Sequence, residues 1–139
     1  MRTLMLLLAA GVLAGCQTSL PPVDPNMAWV EFSTPTPGGK LLMAERLDNR
    51  RLTDGRFFQV TPGSHELRVR FDFEVFGGGG SLMTGPVERL CYLTIRYDHF
   101  EAGQRYLLEG RSLAFTPSAR LYNDKREIVA EDREVNCII

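Results

Sequence analysis

The sequence is poor in the residues that most metal, redox and catalytic sites require. It has three cysteines and two histidines, which excludes a four-cysteine zinc site and a disulfide-dense miniprotein. Its formal net charge is −1, so it lacks the basic surplus that binds nucleic acid. An apolar fraction of 44% is ordinary for a folded domain and excludes a wholly disordered chain. We expect one globular domain that uses no metal, no cofactor and no nucleic acid.

The first fifteen residues have the composition of an export signal. After Arg2 the chain is apolar from Leu4 to Val12, and small residues then lead to Cys16. This apolar stretch is shorter than the roughly 20 residues that span a bilayer, so it fits the core of a cleaved secretory signal. We therefore expect residues 1–15 to be a signal peptide that takes no part in the fold.

Leu13-Ala14-Gly15-Cys16 resembles the lipobox of bacterial lipoproteins. In that family the cysteine sulfur receives a diacylglyceryl group, the preceding peptide bond is cut, and the new amino terminus is usually acylated. The resemblance implies a lipid anchor on Cys16, and a plain secretory signal with a chance cysteine is the alternative. Gln17 replaces the Asp that commonly retains such lipoproteins in the inner membrane. It therefore favours the outer membrane, with the domain facing the periplasm.

The segment that follows Cys16 has the composition of a linker. It contains Pro21, Pro22 and Pro25 and shows no apolar periodicity. Nine residues in a polyproline-like conformation reach roughly 28 Å. The sequence thus predicts a lipidated tether over residues 16–26 and a folded domain over residues 27–139.

From Met27 onward, apolar residues recur at every second position rather than with a helical period. The alternation is clearest from Leu67 to Val75 and from Cys91 to Tyr97, and it predicts strands with one buried and one solvated face. Weaker strand patterns cover residues 28–32, 40–47, 57–60, 105–109, 120–122, 128–131 and 135–139. Seven to nine short strands joined by tight turns predict an all-β domain, either an antiparallel β-sandwich or a small barrel.

A second resemblance covers residues 47–69. The segments Leu47-Asp48-Asn49, Asp54-Gly55 and Phe58-Gln59-Val60, followed by Pro62-Gly63 and an alternating strand, are similar to PEGA-type and carboxypeptidase-regulatory-like β-domains of bacterial envelope proteins. The Pro-Gly turn carries the match, because Pro presets the first turn dihedral and Gly accepts a positive φ. The resemblance implies the same fold class and no single activity.

Cys91 and Cys137 remain after acylation of Cys16, and both lie on the apolar positions of their strand patterns. Export would place them in an oxidising compartment. A bond between them would close a loop of about 46 residues and contribute roughly 4 kcal/mol in the chain-entropy model. We expect a disulfide, with two buried free thiols as the alternative.

The two histidines do not form a recognisable catalytic motif. His65 begins a strand beside a turn, and His99 lies in a local acidic cluster with too few ligands for a zinc site. Ser64 and Ser81 lack the Gly-x-Ser-x-Gly setting of a hydrolase nucleophile. We therefore predict that the protein is not an enzyme, with a hydrolase centred on His99 as an alternative.

The glycine run Gly77–Gly80 is followed by Leu82 and Met83, two apolar residues at a position where a loop is expected to be polar. Either these side chains fold back over the core edge, or they contact a partner or a bilayer. Together the features predict a lipid-anchored envelope protein that binds or scaffolds an envelope protein or a cell-wall partner. An inhibitor whose long loop enters the cleft of a partner is the alternative.

Overall fold

The computed structural model describes residues 18–35, 40–76 and 85–138. Within these ranges the chain forms nine strands and no helix, which confirms the all-β prediction. The strands are β1 (Ala28–Ser33), β2 (Lys40–Leu47), β3 (Arg50–Arg51), β4 (Phe58–Val60), β5 (Gly63–Val75), β6 (Val87–Phe100), β7 (Arg105–Leu113), β8 (Thr116–Tyr122) and β9 (Ile128–Cys137). The signal peptide, the lipobox with Cys16, and the loop residues Leu82 and Met83 lie outside the described residues.

The strands form a single sheet in the order β3-β2-β5-β6-β9-β8-β7-β1-β4. The sheet divides into two layers because β9 serves both, pairing with β8 near its start and with β6 near its end. The first layer holds β3, β2, β5 and β6, and the second holds β8, β7, β1 and β4. The end strands β3 and β4 are not paired with each other, so the described sheet is sandwich-like and is not closed into a barrel.

One strand pair differs from the antiparallel arrangement that the sequence predicts. β1 runs parallel to β7, with Val30 opposite Tyr106. No hairpin turn joins β1 to either of its neighbours, because the next strand along the chain, β2, belongs to the other layer. Only a tight turn forces adjacent strands to be antiparallel, so the direction of β1 is free of that constraint.

The core is built from the alternating residues of the two longest strands. β5 and β6 pair along most of their length, and their inward residues are buried: Leu67, Val69, Phe71, Phe73, Val75, Cys91, Leu93 and Ile95. The second layer approaches them closely at Gly110 of β7. A Cβ at Gly110 would stand 3.2 Å from Leu42 Cδ2 and 3.4 Å from Phe71 Cε2. Glycine at this position allows the two layers to pack tightly.

The last strand departs from its sequence pattern. The two segments predicted over residues 128–131 and 135–139 form one strand, β9. The alternation places Val135 on the buried face, yet its exposed fraction is 38%. The second layer does not cover this part of β9, because β8 pairs with β9 only from Ile128 to Glu131. The end of β9 is therefore held by β6 alone.

Candidate functional site

The two cysteines of the folded domain are bonded to each other. Cys91 of β6 and Cys137 of β9 lie directly opposite, with an S–S distance of 2.05 Å and a Cα–Cα distance of 4.0 Å. Ile138 N–H donates to Leu90 O at 2.9 Å, so the cysteines occupy the adjacent non-hydrogen-bonded position, where antiparallel Cα atoms come closest. The predicted disulfide is confirmed. It fastens the exposed end of β9 to a core strand.

His65 connects two turns and has no ring nitrogen left for catalysis. Its Nδ1 lies 2.5 Å from Asp48 Oδ2, and its Nε2 lies 2.7 Å from Thr61 O. Thr61 Oγ1 also lies 3.0 Å from Nε2, so both ring nitrogens have hydrogen-bond partners. Burial alone would raise the pKa of Asp48, but hydrogen bonds from Glu66 N–H and His65 hold this pKa below its usual value. The pair clamps the β2–β3 turn to the β4–β5 turn.

Ser64 and His99 do not form a nucleophile and base pair. Ser64 Oγ–H donates to Asp98 Oδ1 at 2.7 Å, and Arg96 Nη2 donates to Ser64 Oγ at 3.3 Å. Hydrogen bonds from Ser64 and Arg96 hold the pKa of Asp98 below its usual value. His99 is exposed, and its ring lies edge-on to the Tyr97 ring, with 6.0 Å between the ring centroids. The local acidic cluster seen in the sequence therefore binds Ser64 and Arg96 instead of orienting His99.

The outer face of the first layer carries a row of arginines that the sequence analysis missed. The register of β2 against β5 shifts at Glu45, and this bulge turns Arg46 outward. Arg46 then lies directly opposite Arg68 of β5 on one side and Arg51 of β3 on the other. We call Arg46, Arg51 and Arg68 the arginine row. The nearness of Arg46 to Arg51 was visible in the sequence, but nothing there indicated the bulge that aligns both with Arg68.

The arginine row has few partners of its own. Arg46 Nη1 donates to Asn49 O at 3.2 Å. The guanidinium of Arg68 lies 4.7 Å from the centre of the Tyr92 ring, and its Nε–H is buried without a hydrogen-bond partner. Among the described residues, no carboxylate forms an ion pair with any arginine of the row. The row therefore carries positive charge that no described carboxylate neutralises by direct contact.

The described part of the tether lies against the domain. Arg56 Nη1 donates to Thr18 O at 2.7 Å, and the guanidinium of Arg56 is itself held by both carboxylate oxygens of Asp54. At the other end of the tether, Gly103 N–H donates to Met27 O at 2.9 Å. Residues 18–26 lack helix and strand, as the prolines suggest. They are nevertheless fastened to the domain at both ends, and this contact was not predicted.

Large apolar side chains are exposed where β5 ends and β6 begins. We call this surface the apolar end; it comprises Phe76, Val87, Leu113, Phe115 and Ile138, whose exposed fractions run from 44% for Val87 to 83% for Leu113. The β7–β8 hairpin joins it because the Arg89 guanidinium of β6 lies 5.5 Å from the centre of the Phe115 ring. Residues 77–84, which include Leu82 and Met83, connect two segments that both end here. An apolar pair at a hairpin tip, Leu113 and Phe115, was a signal that the sequence analysis overlooked.

The described residues hold no cluster of metal ligands and no membrane-spanning helix, and comparison with known proteins gives the chain no significant match. In residues 18–35, 40–76 and 85–138, no three His, Cys, Asp or Glu side chains come close enough together to hold a metal ion. The same ranges contain no helix with the length and apolarity needed to cross a bilayer. No family model matches the chain, and no curated protein or solved structure is significantly similar to it.

Proposed function

We propose that this protein is a lipid-anchored, non-catalytic binding module of the bacterial cell envelope. Acyl chains on Cys16 hold it in the outer membrane, and the folded domain faces the periplasm. It binds an envelope protein or a cell-wall partner through the apolar end. The observation that carries the binding role is that five of the ten large apolar residues exposed in the described part of the chain lie at one end of the domain. Apolar surface concentrated in this way marks interaction sites.

The backbone of the β7–β8 hairpin supports this role. Leu113 pairs with Thr116, so the turn between them has two residues. One of them, Ala114, has a φ of 51°, a left-handed conformation that costs an L-residue roughly 1–2 kcal/mol. Alternation along β7 places Leu113 on the face opposite the buried Tyr106 and Leu108, so its side chain is exposed beside this turn. Strain of this kind is concentrated at functional sites.

Two further observations support the anchored, exported state. The disulfide between Cys91 and Cys137 is of a kind that persists in oxidising compartments such as the periplasm. The tether approaches the domain at Arg56, so the chain immediately before Thr18 starts from a defined place on the surface. The similarity of residues 47–69 to PEGA-type β-domains is also part of the proposal, and the Gly63 φ of 111° fits the turn that carries it.

The hydrogen bonding of the candidate nucleophile and base supports a non-catalytic module. The hydroxyl proton of Ser64 is directed to Asp98, and a serine nucleophile needs a general base such as histidine in that position. His65 is sealed between Asp48 and Thr61. Neither side chain can take part in chemistry without first breaking these contacts.

Photo-crosslinking in intact cells tests the binding role. A photoreactive amino acid at Leu113, and in a second strain at Leu82, should capture the same envelope protein or cell-wall fragment, because Leu113 belongs to the apolar end and Leu82 lies in the segment of the chain that joins β5 to β6. The matched control is Arg120, whose side chain is 42% exposed on the second layer. We expect no capture from the control position.

A substitution separates binding from stability. Leu113→Ser should reduce the captured product several-fold and leave the thermal midpoint nearly unchanged, because a side chain that is 83% exposed contributes little to the core. Capture of lipid in place of protein or cell wall would show that the apolar end enters a bilayer. Equal capture from Leu113 and Arg120 would remove the apolar end as a binding surface.

A further inference from the structure

We propose that the arginine row binds the phosphate groups of anionic lipids at the membrane surface and so orients the domain on its anchor. The inference rests on the proposed acylation of Cys16. Each guanidinium offers five N–H donors in a planar fork that matches phosphate oxygens. The row places the Cα atoms of its three arginines opposite one another on adjacent strands, about 5 Å apart.

The carboxylates of Asp48 and Asp54, in the segments on either side of β3, are already engaged. Asp48 accepts hydrogen bonds from His65 and from Glu66 N–H. Asp54 is bound by Arg56 through both of its oxygens. The segment from β2 to β4 therefore neutralises Arg56 internally and leaves Arg46 and Arg51 without an ionic partner.

Protection of a sheet edge does not explain the row. Positive charge on an edge strand prevents pairing with another chain, and this accounts for Arg51 of β3. It does not account for Arg68, which lies on the interior strand β5. Like charges placed directly opposite each other destabilise a sheet. A bound phosphate would relieve this repulsion.

The tether brings the anchor to the same side of the domain. Thr18 is fastened to Arg56, and the loop that contains Arg56 follows β3 along β2. Leu52 N–H donates to Glu45 O at 3.0 Å, and Ala44 N–H donates to Gly55 O at 2.8 Å. Cys16 precedes Thr18 by two residues, a reach of about 7 Å. Acyl chains on Cys16 would therefore bring the lipid surface close to the edge where the row begins.

The charge on this face changes sign along the strands. Beyond the row, the same face carries Arg70 and Asp72 of β5, which form an ion pair, and then Glu74 directly opposite Glu88 of β6. Val75, at the apolar end, lies seven residues from Arg68, or about 23 Å along the strand. An anionic surface attracts the row and repels the acidic half of the face. The domain would tilt so that the apolar end points away from the bilayer.

Arginine footprinting of the acylated full protein tests the inference. The protein is reconstituted into vesicles of phosphatidylcholine, or of phosphatidylcholine with phosphatidylglycerol, and phenylglyoxal modification of each arginine is followed by mass spectrometry. Arg46 and Arg51 should react about fivefold more slowly on the anionic vesicles, the factor expected for one arginine at such a surface. High salt should abolish the difference. Arg111, on the second layer, should react equally on both.

Matched variants assign the protection to the row. Arg68, the third arginine of the row, should share this protection in the wild-type protein. Arg46→Gln with Arg51→Gln should remove the protection of Arg68, whereas Arg105→Gln with Arg111→Gln, which removes the same charge from the second layer, should retain it. We expect the row variant to keep or raise its thermal midpoint, because it loses a like-charge contact. A folded row variant in which Arg68 stays protected would overturn the inference.

The outcomes distinguish this inference from the anchoring on which it rests. Equal modification rates on both vesicle types, with acylation confirmed by intact mass, would overturn the role of the row and leave the anchor standing. Equal protection by inorganic phosphate on neutral vesicles would overturn the membrane as the source of the phosphate. A membrane-extracted protein that lacks the acyl mass would overturn both proposals.

Discussion

At the level of single residues, the contact between His65 and Asp48 shows how a side chain with catalytic potential has a structural role instead. His65 follows a Pro-Gly turn, and the sequence pattern correctly indicates a strand there. The sequence could not indicate that Asp48, 17 residues earlier in the chain, forms a hydrogen bond with the His65 ring. Asp48 has a φ of 48°, a conformation that Asp and Asn tolerate better than other non-glycine residues. The contact therefore depends on the turn at Asp48. The residues of this turn are recognisable in the sequence, but its contact with His65 is not.

Asp48→Asn tests this clamp with little change in shape or turn preference. The pKa of Asp48 lies below its usual value of 3.8, so its charge stabilises the fold above about pH 4 and this contribution is lost as the pH falls through the folded-state pKa. We expect a loss of about 1 kcal/mol at pH 7, limited by solvent screening at this half-exposed carboxylate.

Urea unfolding at pH 7 and pH 3 measures the effect. The difference between Asp48→Asn and the wild type should be smaller at pH 3 than at pH 7, because the contribution of the carboxylate charge decreases once the pH falls below the unfolded-state pKa and towards the lower folded-state pKa. Asp124→Asn, in an exposed turn, is the control and should change little at either pH. A constant difference at both pH values would show that the carboxylate charge of Asp48 does not stabilise the fold.

At the level of strands, the alternation of apolar and polar residues predicted the strands that have one solvated face and one buried face. β5 and β6 meet that condition, and the residues that the sequence placed inward are buried except Tyr97, which is only partly buried. Thr94, which the sequence placed outward, is also buried. Alternation could not predict the parallel neighbour of β1, because pairing depends on which strands the layers bring together. It also could not predict the bulge at Glu45, which creates the arginine row. Alternation wrongly predicted that Val135 is buried, because the sequence around Val135 does not indicate where the second layer stops covering β9.

The disulfide should carry a large share of the stability of this strand arrangement. Cys91→Ala with Cys137→Ala opens a loop with a sequence separation of 46, which corresponds to about 4 kcal/mol in the chain-entropy model. Denaturant unfolding of the variant and of the reduced wild type should show similar losses, of about 2–4 kcal/mol. An unchanged denaturation midpoint in both samples would show that β9 is held without the bond.

At the level of the whole molecule, three features divide the surface between two tasks. The tether contact at Arg56 and the arginine row are arranged along one edge and the adjoining face of the first layer. The apolar end lies at the far end of the same strands. In the proposed function the first region faces the lipid and the second faces a partner. The sequence suggested a lipid anchor and a loop that contacts a partner. Only the folded sheet shows that the arginine row and the apolar end lie at different places along the same strands.

Lipid attachment at Cys16 underlies the whole proposal, and metabolic labelling with an alkyne fatty acid tests it most directly. Wild-type protein should incorporate the label and sediment with membranes. Cys16→Ala should lose the label and leave the membrane fraction, because the thioether requires a thiol. A Cys91→Ala, Cys137→Ala variant that retains Cys16 should remain labelled. Unlabelled wild-type protein, or a label that persists in Cys16→Ala, would contradict the anchored state.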